Sequence, residues 1–296
     1  MTLSISVITP SFNQGQFIER TIQSVLSQDI PDLEYTVIDG GSTDNTVDIL
    51  KKYQTKLRWV SEKDRGQAHA VNKGLQATHG DIIGWLNSDD IYYPHALKSI
   101  KHIFEKHDNI DIIYGNAYHI DSNDNILETY YTETWDKELL KDVCFLCQPA
   151  VFFRRRLIDQ FGMLNEKLHY CMDYEYWLRL ALNNVKFYFV PHILAGSRLH
   201  ADTKTLGSRV KVHKEINDMM KLHLKYVPDR WLKNYGHAMA ETTTYKNKLD
   251  FEKTVLAHTV LASVKWNKKI TKDMLRSILG LSRKYFQKTF LGKQPS

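Results

Sequence analysis

The chain has 296 residues, of which 43% are hydrophobic and 25% charged, a composition typical of globular proteins that excludes a disordered or fibrous one. Its 40 Lys and Arg and 34 Asp and Glu give a net charge of +6. No apolar run approaches the roughly 18 residues of a membrane span, residues 1–10 predict a strand rather than a signal peptide, and three cysteines favour a reducing cytoplasm over a disulfide scaffold.

Strand and helix patterns alternate along the first 120 residues. The predicted strands are residues 5–8, 35–38, 57–60, 82–86 and 112–114, and the predicted helices are residues 15–28, 42–53, 66–77 and 94–107. Repeated β-α units with short connections predict an α/β fold, with a Rossmann-like, mainly parallel sheet flanked by helices.

The pattern is less regular in the middle of the chain and becomes helical at the end. We predict a hairpin over 118–131, a strand over 151–153, helices over 155–161 and 173–183, and extended segments over 186–190 and 194–199. From residue 207 onward the apolar spacing is helical.

Positive charge is concentrated in that helical end. Residues 207–296 contain 19 Lys and Arg and 7 Asp and Glu, a net charge of +12, so residues 1–206 carry −6. A slightly acidic body that carries a basic end argues against a uniform basic nucleic-acid-binding surface, so we expect no nucleic-acid partner.

Polar side chains follow four of the predicted strands, at the point where each strand ends. The four clusters are residues 9–13, 39–44, 62–66 and 87–90. Because the carboxyl ends of parallel strands meet at one edge of a sheet, we expect the clusters to form one ligand crevice.

Asp39 ends an apolar strand, where a carboxylate needs hydrogen-bond donors. Such a carboxylate can accept hydrogen bonds from a nucleobase imide, and Gly40 and Gly41 permit a close backbone approach. The alternative is turn chemistry, with Ser42 or Asp44 capping the next helix. A G-x-G-x-x-G or Walker A pattern is missing, which argues against a dinucleotide oxidoreductase.

Asp89 and Asp90 are adjacent carboxylates at a strand end and repel each other unless a positive group lies nearby. A Mg²⁺ or Mn²⁺ ion bridging a diphosphate would resolve the repulsion, because these ions favour carboxylate and phosphate oxygens. The alternative is that Asp90 caps the following helix while Asp89 is solvated.

Taken together, these motifs resemble a known family. The matching segments are Thr9-Pro10-Ser11-Phe12-Asn13, residues 23–28, Val37-Ile38-Asp39-Gly40-Gly41-Ser42-Thr43-Asp44, Asp64-Arg65-Gly66, Asn72-Lys73-Gly74 and Trp85-Leu86-Asn87-Ser88-Asp89-Asp90. In order and spacing the chain is similar to inverting glycosyltransferases of family 2, which have the GT-A fold. The resemblance implies a catalytic domain over residues 1–206 and leaves residues 207–296 as a basic helical extension.

The resemblance also implies roles for the donor site. Thr9, Pro10 and Phe12 would line the nucleoside pocket, and Asp39 would hold the base, expected to be uracil. Arg65 would contact the donor diphosphate, for which a guanidinium is suited.

The metal motif of the family, written D-x-D, matches residues 87–89. Ser88 and Asp89 lie within it, and Asp89 matches its last, metal-binding position. Two departures occur: Asn87 replaces the first acid, and Gly40 replaces the second acid of the frequent Asp-Asp-Gly-Ser. The first weakens the case for a tightly held metal, whereas the second leaves the carboxylate expected to read the base.

The resemblance places the catalytic base at an acidic pair that opens a helix. Met172 replaces the first acid of that pair and Asp173 retains the second, so Asp173 is the candidate to deprotonate the acceptor hydroxyl. The alternative is a helix N-cap.

His200 follows the last predicted strand of the match, where many GT-A enzymes have a metal-binding or diphosphate-contacting histidine. A neutral imidazole suits Mn²⁺, so His200 is a second candidate metal ligand; the alternative is a structural histidine. Cys144 and Cys147 have C-x-x-C spacing without a second ligand pair, which predicts packing rather than a zinc site.

Residues 269–285 predict a basic amphipathic helix. Met274, Ile278, Leu281 and Tyr285 fall on one face, and Lys269, Lys272, Arg276 and Arg283 on the other. Such a helix can cover the catalytic domain, mediate dimerisation or bind an anionic membrane surface.

We therefore expect a metal-assisted, inverting hexosyltransferase that uses Mn²⁺ or Mg²⁺ and a nucleotide-sugar donor, expected to be UDP-linked. The acceptor would be a glycan or lipid-linked hydroxyl in polysaccharide, lipopolysaccharide or glycolipid assembly, at a cytoplasmic location that includes the inner face of the plasma membrane. The alternatives are a catalytically impaired sugar-binding protein of the same fold and a sugar-phosphate nucleotidyltransferase. The latter normally has a Gly-rich loop with a basic residue after the first strand, and residues 10–15 lack it.

Overall fold

The computed structural model describes residues 2–200, 207–271, 274–276 and 280. The chain divides into two compact units, one comprising Met1–Leu140 and Cys144–Thr203 and the other Lys141–Val143 and Lys204–Ser296. The first unit is a mixed α/β structure, and the described part of the second is helical.

Strands and helices alternate through the first unit. The strands are β1 (Ile5–Ser11), β2 (Glu34–Asp39), β3 (Arg58–Ser61), β4 (Ile82–Trp85), β5 (Ile91–Tyr92), β6 (Ile112–Ile120), β7 (Ile126–Thr129), β8 (Val151–Arg154) and β9 (Phe187–Arg198). The helices of the described residues are α1 (Ile18–Leu26), α2 (Thr46–Lys52), α3 (Gln67–Ala77), α4 (Ala96–Lys106), α5 (Lys137–Asp142), α6 (Arg156–Phe161), α7 (Met172–Leu182), α8 (Arg209–Leu224), α9 (Asp229–Ala240) and α10 (Lys248–Asn267), with a 3₁₀ turn at Gln148–Ala150.

All the strands belong to one sheet with the order β3-β2-β1-β4-β8-β6-β9-β5, and β7 pairs with β6. The first four run parallel, so their carboxyl ends lie at the same edge. Strand β8 is antiparallel to both β4 and β6, whereas β9 is parallel to β6. The predicted α/β class is therefore confirmed.

Apolar side chains on helices cover the sheet. In α1, Ile18, Ile22 and Val25 recur at helical spacing and are fully buried. Helix α3 lies closest to β1 at Gly74, where an added Cβ atom would be 2.3 Å from Ile8 Cγ2. This packing holds the loops before α3 and after β1 in fixed positions.

Three elements differ from the sequence-based expectation. Strand β5 has only two residues, too few for any periodicity to predict it. Helix α5 was not predicted; Asp136 Oδ1 accepts hydrogen bonds from Glu138 N (2.8 Å) and Leu139 N (3.0 Å) at its start. The two extended segments predicted over 186–199 form the single strand β9, whose register against β6 shifts around Pro191.

In the second unit, α9 and α10 approach closely at Gly236, where an added Cβ would be 2.3 Å from Thr259 Oγ1. Trp266 Nε1 donates to Asp218 Oδ1 (2.7 Å), which joins α10 to α8. The amphipathic helix predicted over 269–285 lies outside the described residues except for residues 269–271, 274–276 and 280. Within the described ranges, no helix has the length and apolar character needed to span a membrane.

Candidate functional site

The ends of β1, β2 and β3 are in register, which brings the predicted polar clusters together. Ser11 pairs with Asp39, and Asp39 pairs with Ser61. Gly40 N donates to Ser11 O (2.8 Å) and Glu62 N donates to Asp39 O (3.0 Å), so the pairing continues into the loops. The loops that follow these strands therefore share one edge of the sheet.

Asp39 is fully buried and is surrounded by donors from its own chain. Its Oδ2 accepts hydrogen bonds from Ser61 Oγ (2.6 Å), Ser42 N (2.9 Å) and Gly41 N (3.2 Å). Its Oδ1 accepts from Ser42 Oγ (2.5 Å), which leaves one lone-pair direction on that oxygen. The turn chemistry considered as an alternative is thus present, and the role of Asp39 toward a base remains a prediction.

The three residues expected to line a nucleoside pocket differ in exposure. Thr9 is buried, and its Oγ1 is 3.2 Å from Tyr35 OH, so its side chain has a partner in the core. Pro10 is buried within β1. Phe12 is 59% exposed, and its ring lies against Gly40 at the sheet edge. Of the three, Phe12 offers apolar surface to a ligand, and the pocket-lining roles remain predictions.

Arg65 is exposed and forms an ion pair with Glu166 (Nη2 to Oε2, 2.6 Å). Asn72 Nδ2 donates to Glu166 Oε1 (3.0 Å), and this hydrogen bond, followed by that from Arg65, lowers the pKa of Glu166. A diphosphate at Arg65 would therefore compete with a carboxylate that is already in place.

Asn87 forms hydrogen bonds through both atoms of its side-chain amide. Its Oδ1 accepts from Gln67 Nε2 (2.8 Å) and Trp85 Nε1 (3.0 Å). Its Nδ2 donates to Gln148 Oε1 (2.9 Å) and Asp90 Oδ2 (3.2 Å). A carboxylate at this position would lack the two donated hydrogen bonds.

Asp89 is partly exposed, with its Oδ2 at 3.1 Å from His200 Nε2. This is the distance of a hydrogen bond between the imidazole and the carboxylate. It also equals the spacing of about 3 Å between adjacent ligands of an octahedral ion with bonds of about 2.1 Å. Among the described residues no group of three or more His, Cys, Asp and Glu side chains could hold a metal. Ser88 is buried, and its backbone oxygen accepts from Thr21 Oγ1 (2.9 Å).

Asp90 is buried beneath this loop. Burial, followed by the negative charge of Asp89, raises the pKa of Asp90 well above its ordinary value, against hydrogen bonds from Arg198 N and Asn87. Asp90 Oδ1 accepts from Arg198 N (2.9 Å), and the next helix, α4, begins only at Ala96. The alternative that Asp90 caps that helix is therefore wrong.

Arg198 joins several segments through one buried guanidinium. Its Nε donates to Asp89 O (2.6 Å) and its Nη1 to Asp121 O (2.6 Å), while Nη2 pairs with Asp124. The guanidinium also lies 4.9 Å from the Phe17 ring centroid. These contacts position the backbone that carries Asp89.

Asp173 lies in the first turn of α7 and is half-buried. The N-cap of α7 is Cys171, so the alternative that Asp173 is the N-cap is wrong. Burial and then the charge of Asp173 raise the pKa of Cys144, a free thiol. The pKa of Cys147 is also raised, first by burial and then by the charges of Asp90, Cys144 and Asp173.

Three residues that contact the predicted site residues were not identified from the sequence. Gln148 precedes β8 in a loop without a periodic pattern, although it binds Asn87 and the Trp85 carbonyl (2.5 Å). Glu166 lies in an equally irregular stretch. The role of Arg198 depends on contacts with Asp89, Asp121 and Asp124, which are distant in sequence.

Comparison with known proteins gives a consistent family match. A family model described as glycosyl transferase family 2 matches residues 6–162. An uncharacterized glycosyltransferase of Rickettsia prowazekii (strain Madrid E) is 29% identical over 234 residues, which cover 75% of this chain and 71% of that protein. A chondroitin synthase of Escherichia coli is 29% identical over 181 residues, 60% of this chain but 26% of that protein.

Two solved structures share the fold. S. aureus TarS 1-349 in complex with UDP-GlcNAc has a TM-score of 0.64 at 15% identity, covering 99% of this chain and 93% of that one. The mannosyltransferase PcManGT from Pyrobaculum calidifontis, in complex with GDP-Man and Mn²⁺, has a TM-score of 0.58 at 17% identity, covering 95% and 80%. These similarities confirm the predicted GT-A architecture.

Proposed function

Because this chain belongs to glycosyl transferase family 2, we propose that it transfers a sugar from a nucleotide-sugar donor to a hydroxyl group of a glycan or glycolipid acceptor, with inversion at the anomeric carbon. The observation that best supports this proposal is the register of β1, β2 and β3. It brings Ser11, Asp39 and Ser61, and the loops that follow these strands, to one edge of the sheet.

The proposed donor is a UDP-sugar. In support, TarS was solved with UDP-GlcNAc. In this chain Asp39 would accept a hydrogen bond from the base through Oδ1, and the exposed ring of Phe12 would stack on it, with Thr9 and Pro10 forming the floor. The mannosyltransferase neighbour was solved with GDP-Man, so guanosine diphosphate sugars are the comparison to test.

The donor diphosphate would lie between Arg65 and the loop of Ser88 and Asp89. Arg65 would exchange its ion pair with Glu166 for phosphate oxygens. Asp89 and His200 would hold a Mn²⁺ or Mg²⁺ ion, which would neutralise the diphosphate leaving group. Arg198 would keep Asp89 in position through its carbonyl oxygen.

Asp173 would be the catalytic base. Its carboxylate would accept the proton of the acceptor hydroxyl as the acceptor oxygen attacks the anomeric carbon. The bond between that carbon and the diphosphate oxygen would break, and the nucleoside diphosphate would leave with the electron pair. Attack from the face opposite the leaving group inverts the configuration.

Replacement of Asp173 tests this assignment. Asp173→Asn removes the proton acceptor while preserving the size of the side chain, so we expect transfer to fall by about 10²-fold or more while UDP binding stays within about twofold. Glu175→Gln is not a suitable control because it would break the Arg179 ion pair on the same helix. Exposed Asp159→Asn is the matched control, and turnover equal to that of this control would refute the role of Asp173.

A donor screen separates the proposed enzyme from an impaired binding protein, an alternative that Asn87 and Met172 support. The full chain is incubated with UDP-, GDP- and dTDP-sugars, with and without Mn²⁺, and both melting temperature and nucleotide release are measured. We expect UDP-sugars to stabilise the chain and to release UDP faster with Mn²⁺. Stabilisation without release under any condition would favour the binding protein.

We also propose that residues 207–296 form an extension separate from a catalytic domain of residues 1–206, and that it docks on an anionic membrane surface. Leu261, Val264 and Ile270 are exposed, and Lys265, Lys268 and Lys269 lie next to them in sequence. Apolar side chains flanked by cations suit the interface of an anionic bilayer.

Liposome co-sedimentation of the full chain tests this docking. Replacing Lys265, Lys268 and Lys269 by Gln should reduce binding to vesicles with anionic lipid, whereas the same charge change at Lys51, Lys52 and Lys56 should not. Equal sedimentation of the two triple variants would contradict the proposal.

A further inference from the structure

Asp64 lies in the loop after β3, beside Arg65, with one of its carboxylate oxygens facing the end of β2. Its Oδ1 accepts a hydrogen bond from Gly66 N (2.8 Å). Its Oδ2 lies 2.7 Å from the position that a Cβ atom on Gly40 would occupy. Within the described part of the chain, no donor reaches this second oxygen. Asp64 is half-buried, and its Oδ2 is not among the buried polar atoms that lack a hydrogen-bond partner, so this oxygen is accessible.

Gly40 stands where the family pattern frequently has the second acid of Asp-Asp-Gly-Ser. The backbone does not require glycine there, because the positive-φ glycines of the described residues are Gly41, Gly66 and Gly162. The requirement is space: a Cβ at residue 40 would meet Asp64 Oδ2 at 2.7 Å and the Phe12 ring at 3.3 Å. The carboxylate of Asp64 therefore fills, from the neighbouring loop, the space that a side chain at position 40 would occupy.

The surroundings of this oxygen match those of a nucleoside contact. The exposed ring of Phe12 approaches the same point, and Asp39 lies one residue away from Gly40. Asp39 has four hydrogen bonds from its own chain, so its capacity for a ligand is limited to Oδ1. A second, unoccupied carboxylate oxygen next to an aromatic ring is suited to accept a hydrogen bond from an N–H or O–H group.

We propose that Asp64 Oδ2 accepts a hydrogen bond from the nucleoside of the donor and thereby takes the place of the acid missing at position 40. This inference rests on the proposed nucleotide-sugar donor. The hydrogen-bonding group is either a ribose hydroxyl or the imide of the base, which share the same chemistry toward a carboxylate.

Calorimetric titration of UDP into the full chain tests the proposal. In Asp64→Asn the amide oxygen can still accept from Gly66 N, but the NH₂ group then faces the nucleoside and presents a donor to a donor. We expect UDP to bind about 10-fold more weakly or worse, the loss typical of a hydrogen bond to a charged group. Glu62→Gln is the matched control, because it removes the same charge from the same loop at a side chain that pairs with Lys73.

Two nucleotide analogues identify the group that Asp64 contacts. If it is a ribose hydroxyl, dUDP should bind the wild type more weakly than UDP does, and Asp64→Asn should not weaken dUDP further. If it is the base, the same result is expected for N3-methyl-UDP. Equal losses of UDP, of both analogues and of 3′-deoxy-UDP on mutation would overturn a direct hydrogen bond.

Moving the carboxylate from residue 64 to residue 40 distinguishes a direct contact with the nucleoside from an effect on the structure of the loop. Asp64→Ala should bind UDP weakly, and Gly40→Asp combined with Asp64→Ala should restore affinity to within about threefold of the wild type, because the carboxylate returns to the same space. Gly40→Asp alone should not bind better than the wild type, because its side chain collides with Asp64. Failure of the double variant to recover, at a melting temperature equal to that of Asp64→Ala, would overturn the proposal.

The outcomes distinguish this inference from the proposed function. A wild type that binds no nucleoside diphosphate would remove the proposed function itself. A wild type that binds UDP, together with Asp64→Asn that binds it equally well, would remove only the role of Asp64.

Discussion

Asn87 shows how one side chain can connect the loop of residues 87–90 to its neighbours through hydrogen bonds. Its amide donates to Asp90 and Gln148 and accepts from Gln67 and Trp85. Because Asp90 is buried with a raised pKa, a second carboxylate beside it would be costly in the absence of a cation. The amide of Asn87 therefore stabilises the loop of residues 87–90 through four hydrogen bonds without adding a negative charge.

Asn87→Asp tests this exchange at the residue scale. The variant keeps the two accepted hydrogen bonds but loses the two donated ones, so we expect the free energy of unfolding to fall by about 1–3 kcal/mol without metal. Mn²⁺ should restore part of the loss, because the variant supplies a second acid for the ion. The measurement is the melting temperature with and without MnCl₂.

Asn109→Asp, at an exposed position in the turn after α4, is the matched control for Asn87→Asp. A variant at position 87 that is as stable as this control in the absence of metal would contradict the structural role of the amide.

Strands and helices position the residues of the candidate site through close packing as well as through strand register. Strands β1, β2 and β3 align Ser11, Asp39 and Ser61, and α3 lies against β1 through Gly74. The same helix begins next to Gly66, directly after Asp64 and Arg65. A displacement of α3 would therefore move the loop proposed to bind the donor.

Gly74→Ala tests this packing at the element scale. Alanine raises helix propensity by about 1 kcal/mol, but its Cβ would be 2.3 Å from Ile8 Cγ2. Overpacking typically costs about 1–3 kcal/mol, so we expect a net loss of stability, measured as a lower urea midpoint. Gln76→Ala on the exposed side of α3 is the control and should change the midpoint little. A midpoint for Gly74→Ala at or above that of the wild type would refute the close packing.

At the scale of the whole molecule, residues 1–206 and residues 207–296 carry opposite net charge. Several carboxyl groups of residues 1–206 accept hydrogen bonds that lower their pKa. For Glu34, burial acts to raise the pKa but is outweighed by hydrogen bonds from His79 N, Ser6 Oγ and Gly80 N, so the pKa is lowered. The pKa of Asp81 is lowered in the same way, by hydrogen bonds from Ser4 that outweigh burial. Asp90, with its raised pKa, is the opposing case.

The directions of these pKa shifts predict that the fold loses stability in acid. A carboxyl whose pKa is lowered by folding contributes stability above its unfolded pKa, and this contribution is lost as the pH falls through the folded pKa. The raised pKa of Asp90 acts in the opposite direction, but more groups are lowered than raised. We expect the melting temperature to fall by several degrees as the pH decreases below about 4.5, the ordinary pKa of a glutamic acid.

Returning the acidified sample to pH 7 distinguishes a loss of stability through protonation from aggregation, because protonation is reversible. A melting temperature that stays constant or rises between pH 4.5 and pH 3 would contradict the prediction.

The sequence alone determined the α/β alternation, the family and the edge of the sheet where the site lies, because strand and helix periods and strand-end motifs are local properties. Asp39 and Asp89 were selected on those grounds, whereas Asp173 was selected through the resemblance to the family. Only the tertiary structure decided that Asn87 and Gln148 share an amide network, that Glu166 pairs with Arg65, and that Asp64 fills the space beside Gly40. These pairs are separated by 24 to 101 residues and have no periodic pattern, because each depends on which loops the sheet register brings into contact.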